Sequence, residues 1–219
     1  MVIMVSELCE HSKMPARWRR RKGERPSEIL AAALKMFSMK GYSSTKLDEV
    51  AKEAGVSKGT LYLYFENKEA LFKSVVIECV LPHIEDAEAL AKQYSGSINT
   101  LLLQLLEQWQ ANVLESELSG ISKMIIAEAS NFPELAKFYM ENIVYRARHF
   151  VAEIIRLGIE RDEFIECDID YTARFFLTPM IFSAIWQHSL APFDKNYDID
   201  KYLKNNLKIF LRGIAKTSK

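Results

Sequence analysis

Apolar residues recur every three or four positions along nearly the whole of this chain, and little interrupts them. With 8 glycines and 6 prolines in 219 residues, the chain lacks the turn residues of a loop-rich all-β protein. The expected fold is therefore all-α. Ile29, Leu30, Ala33, Leu34 and Phe37 mark a first helix over 26–40, with Gly41 as its stop. Thr45, with Asp48 three residues on, resembles a capping box for a short second helix. Leu47, Val50 and Ala51 form its inner face, and Gly55 ends it. Ser57 caps a third helix over 58–65, and Asn67 caps a long fourth one that opens at Lys68 and that Pro82 should kink. Five more are expected over 97–114, 117–130, 133–161, 169–189 and 199–215. Asn131-Phe132-Pro133, Asp168 and Asp198 supply starts. That makes about nine helices, three short and then six longer.

Several function classes drop out. No apolar run reaches the roughly 18 residues of a membrane span. The apolar stretch 1–5 precedes the basic cluster, the reverse of a secretory signal. Cys9, Cys79 and Cys167 are far apart and odd in number, so neither a zinc site nor a disulfide framework is expected, and a reducing cytoplasm is the simplest setting. No metal or cofactor is expected. Paired carboxylates in an acid–base setting, a nucleophile–His arrangement and a Gly-rich phosphate loop are all missing, which argues against an enzyme. The run Glu160-Arg161-Asp162-Glu163 reads as a solvated helix end.

Net charge is zero, but it is unevenly spread. Residues 1–80 carry 14 Lys/Arg and 10 Asp/Glu, and residues 81–219 carry 15 and 19. The basic excess concentrates between Lys13 and Arg25, with seven basic residues against Glu24. This end of the chain is suited to a polyanion, although a solvated tail has the same composition. Three spans follow: a basic arm over 1–22, a small helical domain over 23–83, and a helical domain over 84–219.

Within the small domain, Ala51, Gly55 and Leu61 stand where two short helices must touch, turn and pack back. That is the helix-turn-helix pattern, about 46–66, though any helical corner needs the same three residues. The opposite face is more informative. Lys58, Gly59, Thr60, Tyr62, Leu63 and Tyr64 crowd the third helix, and hydroxyl and ammonium donors suit phosphates and base edges. Tyr62 could equally be a core ring. Lys68 at the next helix start forms an anion-binding corner with the free N–H groups there.

The segments 29–37, Lys40-Gly41-Tyr42, Ser44-Thr45 and 47–72 closely resemble the N-terminal DNA-binding domain of the TetR family, over about fifty residues. The resemblance implies a homodimeric, ligand-responsive transcriptional regulator, usually a repressor, on double-stranded operator DNA. It places Thr45 and Lys46 at phosphates. It puts Ser57, Lys58, Gly59, Thr60, Tyr62 and Tyr64 in the major groove, and Lys68 as a phosphate clamp. Leu63 departs from the family, where a larger aromatic residue, often Trp, is common, so the family readout does not carry over to it. In the arm, Arg19 and Arg20 are expected at phosphates or in an adjacent minor groove.

The second domain is expected to hold a small-molecule pocket and the dimer contact. Polar residues among apolar ones mark the pocket: Gln108, Trp109, Asn112, Tyr145, His149, Phe176, Trp186 and Gln187. For any one of them, core packing is the commoner use. The last two helices are expected to pair across a two-fold axis through Phe175, Met180, Ile181, Ala184, Ile185 and Phe210. Such a dimer presents two reading helices roughly 34–36 Å apart, or a multiple, so its operator should be palindromic. The effector should be small and largely apolar. The competing reading is a protein of the same fold that binds DNA without a small-molecule signal, nucleoid-associated or controlled by a partner.

Overall fold

The computed structural model describes residues 25–216; the expected arm, with Arg19 and Arg20, lies outside the described residues. Nine helices run through the described part. They are α1 (Arg25–Ser44), α2 (Leu47–Glu53), α3 (Lys58–Tyr64), α4 (68–93), α5 (98–114), α6 (Ser119–Glu128), α7 (133–160), α8 (Ile169–Gln187) and α9 (Ile199–Ile214). The starts follow local chemistry. Ser57, Asn67, Ser97, Asp168 and Asp198 each accept a backbone N–H three residues on.

Thr45 is the exception. The N-cap of α2 is Lys46, which caps without its side chain, and Thr45 turns the other way. Gly41 breaks α1 with φ +80° and leaves its own carbonyl oxygen free of the helix. The Thr45 hydroxyl donates to that oxygen at 2.7 Å and lies 3.3 Å from the Met36 oxygen. A helix end already buried next door outcompetes the capping role.

Pro82 follows a wide turn in the middle of α4. It has no N–H, and its ring would crowd the carbonyl four residues back. The helix widens over Val76–Val80, so that the Leu81 N–H donates to Val76. Similar wide turns occur at Gln110–Leu114 in α5 and Met140–Val144 in α7. The α4 and α7 wide turns touch each other.

Two apolar cores form. The first gathers Ile29, Ala33 and Phe37 of α1, Val50, Leu61, and Leu71, Phe72 and Val75 of α4. It also takes Ile121 and Met124 of α6 and Leu135 and Tyr139 of α7. The second joins α5, the later part of α7, α8 and α9 around Leu102, Ile155, Phe164, Ala173 and Leu207. Glu163 is not simply solvated: its carboxylate accepts the Ile98 N–H at 2.7 Å and caps α5.

α6 links the end of α8 to α1. Its first turn meets the end of α8, with Ser119 Oγ 2.7 Å from His188 Nε2 and the Lys123 ammonium on the His188 carbonyl. Burial, aided by Lys123, pushes the His188 pKa down. At the other end Glu128 accepts the Ser43 N–H at 2.9 Å, just beyond α1 Gly41. Between them α6 crosses α1 with Gly120 against Ser38. A Cβ at Gly120 would collide with the Ser38 side chain and come within 3.0 Å of its Cα. Gly120→Ala is therefore expected to cost about 1–3 kcal/mol, read as a lower urea midpoint, and adding Ser38→Gly should recover part of the loss.

Candidate nucleic-acid interface

The reading head is built on the turn after α2. Gly55, at φ +64°, donates to Lys52 at 3.1 Å, and Val56 donates to Ala51 at 2.9 Å. This paired closure ends α2 and swings the chain into α3. Val50, Ala51 and Leu61 are buried between the two helices. With Leu61 facing inward, the rest of α3 faces out: Lys58, Gly59, Tyr62, Leu63 and Tyr64 are exposed and Thr60 half-buried. Tyr62 is thus not a core ring. Ser57 Oγ lies 2.8 Å from Thr60 Oγ1.

Two expected contacts are already engaged within the chain. The Lys58 ammonium pairs with Asp48 of α2 at 2.8 Å. That carboxylate raises the lysine pKa and offsets the repulsion of a cation at a helix start. Lys68 curls back rather than outward. Its ammonium donates to the carbonyls of Tyr42, Ser43 and Thr45 at 2.7, 3.1 and 3.0 Å, which uses all three N–H groups. It also sits 4.5 Å above the Tyr42 ring. Burial lowers its pKa, against the pull of Glu128. Lys68 is a staple of the α1–α2 loop, and the free anion-binding corner read from the sequence is closed. Thr45, 1% exposed, has its hydroxyl turned inward. Lys46 is exposed at the start of α2.

Sequence reasoning missed Asp48, Tyr42 and Glu128. Asp48 could have been found as the acid ten residues before Lys58 across a two-helix turn. No local signal points to Glu128, which meets Ser43 across 85 residues.

The second domain separates its expected residues. His149, with its side chain 77% exposed, Tyr145 and Asn112 lie on the outside of the chain, not around a pocket. Gln108, Trp109, Trp186 and Gln187 are half-buried, and the Gln187 amide donates to the Leu114 carbonyl at 3.0 Å. The Gln108 Oε1 and Trp186 Nε1 atoms are buried without a hydrogen-bond partner. Phe176 lines a cavity of about 20 Å³ with Leu106, Met180, Leu203 and Phe210. Of the expected dimer residues, Phe175 (61% exposed) and Ile181 face out, and Ile185 is half-buried. Met180, Ala184 and Phe210 are buried in this chain's own core, where Phe210 packs on Phe176. Tyr171, Phe182 and Ile209 are exposed instead. Among the described residues, no cluster of His, Cys, Asp or Glu could hold a metal ion, and no helix is long and apolar enough to cross a membrane.

Two family models match the chain: residues 29–75 fit bacterial regulatory proteins of the tetR family, and residues 100–213 fit the AefR-like transcriptional repressor C-terminal domain. The chain belongs to the TetR family. It is a helix-turn-helix transcriptional regulator of that family. It is 49% identical to the uncharacterized HTH-type transcriptional regulator YuxN of Bacillus subtilis over 53 residues, 24% of this chain and 18% of that protein. It is 26% identical to YhgD of Bacillus subtilis, also an uncharacterized HTH-type regulator, over 181 residues, 78% of this chain and 89% of that protein. Among solved structures, the transcriptional regulator FadR of Bacillus subtilis in complex with stearoyl-CoA superposes with a TM-score of 0.67 at 22% identity. That match covers 85% of this chain and 97% of FadR.

The two engaged lysines predict opposite signatures on duplex DNA. Asp48→Asn removes the internal partner that Lys58 must exchange for DNA, so affinity should rise and the slope of log K against log salt should steepen. Lys68→Met should lower the melting temperature and the affinity while leaving that slope unchanged, because no phosphate contact is lost. Salt titrations of the three proteins on one duplex check both.

Proposed function

We propose that this regulator is a homodimeric repressor released from a palindromic operator by a small, largely apolar effector. The observation that carries the reading is α6, which is bonded to the end of α8 at one end and to the loop after α1 at the other. A change in how α5, α7 and α8 pack therefore reaches α1, and with it the spacing of two reading heads. Ser57, Lys58, Gly59, Thr60, Tyr62 and Tyr64 on the outward side of α3 make the base and phosphate contacts, with Lys46 beside them.

The stearoyl-CoA complex of FadR supports an apolar effector class. In this chain the unpartnered Gln108 and Trp186 atoms are suited to anchor the polar end of such a molecule. The cavity at Phe176 has room for about one water molecule, so an effector must part the helices around it. That requirement gives the effector its preference for a rearranged state, without which it shifts nothing.

For the dimer, Tyr171, Phe175 and Phe182 share one outward face of α8, and Phe175 stacks on Phe210 of α9 at 6.3 Å. An apolar face of this kind suits a self-complementary two-fold contact. Phe175→Asp is expected to give a monomer by sedimentation, still folded, with operator binding weakened by at least a hundredfold.

Selection of bound sequences from random duplexes, at one stated salt concentration, tests the reading. The expected result is a palindromic consensus from which stearoyl-CoA, or another long-chain acyl compound, releases the protein at least tenfold. An acyl compound that binds and leaves operator affinity unchanged overturns the release mechanism. Binding with steep salt dependence and no consensus replaces the reading with the effector-free, nucleoid-type one.

A further inference from the structure

We propose that Leu63 reads a thymine in each half-site, by apolar contact with the 5-methyl group of the base. This rests on α3 entering the major groove. Leu61 faces inward. Two residues before and two after it, Gly59 and Leu63 stand one turn apart on the opposite side of α3, its outermost line. Leu63 is 84% exposed. Nothing in the fold uses its side chain, and a charged residue would serve solubility better there. Gly59 has no internal reason to be glycine either. Its φ is negative, and a Cβ would meet only Ser57 Oγ, at 3.9 Å.

Together the two make a thin, uncharged ridge. Gly59 lets the backbone of α3 come close to the base edges, and Leu63, shorter than an aromatic side chain, keeps that approach open. The hydroxyls of Thr60 and Tyr62 flank the ridge and supply polar contacts to either side. Leu63 itself has no donor or acceptor. Of the features a base pair shows in the major groove, only the thymine methyl can reward it. A cytosine amino group or a guanine oxygen at the same place loses water and gains no hydrogen bond. The ridge therefore selects for thymine and against the alternatives at one position.

The test uses the full-length protein and the duplex obtained by selection. Each thymine of a half-site is replaced in turn by deoxyuridine, which differs only in lacking the methyl. The wild type is expected to lose about fourfold per half-site at one position, the worth of burying one methyl group. Leu63→Ala should bind the thymine duplex more weakly and show no further loss with uracil at that position. It should still penalise uracil wherever the wild type does so through other residues. Since Leu63 is exposed, truncation should leave the melting temperature unchanged, which separates a reading defect from a folding one. The proposal is overturned if no uracil position costs the wild type anything, or if Leu63→Ala keeps the penalty at every position. A consensus without methyl dependence sinks this assignment alone. Failure to obtain any consensus sinks it together with the sequence-specific reading.

Discussion

One lysine ammonium holds the loop between α1 and α2 in place. Lys68 reaches back from the start of α4 and binds the carbonyl oxygens of Tyr42, Ser43 and Thr45 where α1 gives way to α2. The Tyr42 ring beneath it packs in turn on Phe37, Phe72 and Phe132. Through these rings, α1, α4 and the segment before α7 share one fixed point. The α2–α3 unit hangs from the same loop, so its direction depends on this cation. A methionine could fill the space but could not satisfy the oxygens, and a partly buried charge with three acceptors is stable where one with fewer would be costly.

The same loop receives a second hold from Glu128. Its carboxylate bonds the Ser43 N–H and pulls electrostatically on Lys68. The far end of the same helix is bonded to the end of α8. Because Gly120 allows α6 and α1 to approach at backbone distance, α6 cannot rotate without disturbing α1. The reading head is thus a part of the first core, not an appendage, and that core includes α6 and the start of α7.

Much of this was legible in the sequence wherever the cause was local. Caps at Ser57, Asn67, Asp168 and Asp198 act over three residues, and Gly41 and Gly55 act on their own backbone. The inward turn of Thr45 has no local signal, because the acceptor it prefers exists only once α1 has broken. The destination of Lys68 depends on a loop 23 to 26 residues away, and that of Glu128 on one 85 residues away. On α8 the difficulty is different. Its apolar residues go all the way round, so hydrophobicity alone could not tell Phe175, which faces out, from Met180 and Ala184, which face in. His149 and Tyr145, read as pocket residues because they are polar among apolar neighbours, are both exposed.

The pairing of Lys58 with Asp48 has a consequence for how such a protein finds its site in a cell. Any genome offers about 10⁶–10⁹ wrong sequences, and each attracts a bare lysine as well as the right one does. A reading lysine that already has a carboxylate partner gains little from an arbitrary phosphate. It gains more where the rest of α3 fits and the swap comes with base contacts. If Lys58 contacts DNA as proposed, the internal ion pair would shorten the protein's dwell on unrelated DNA.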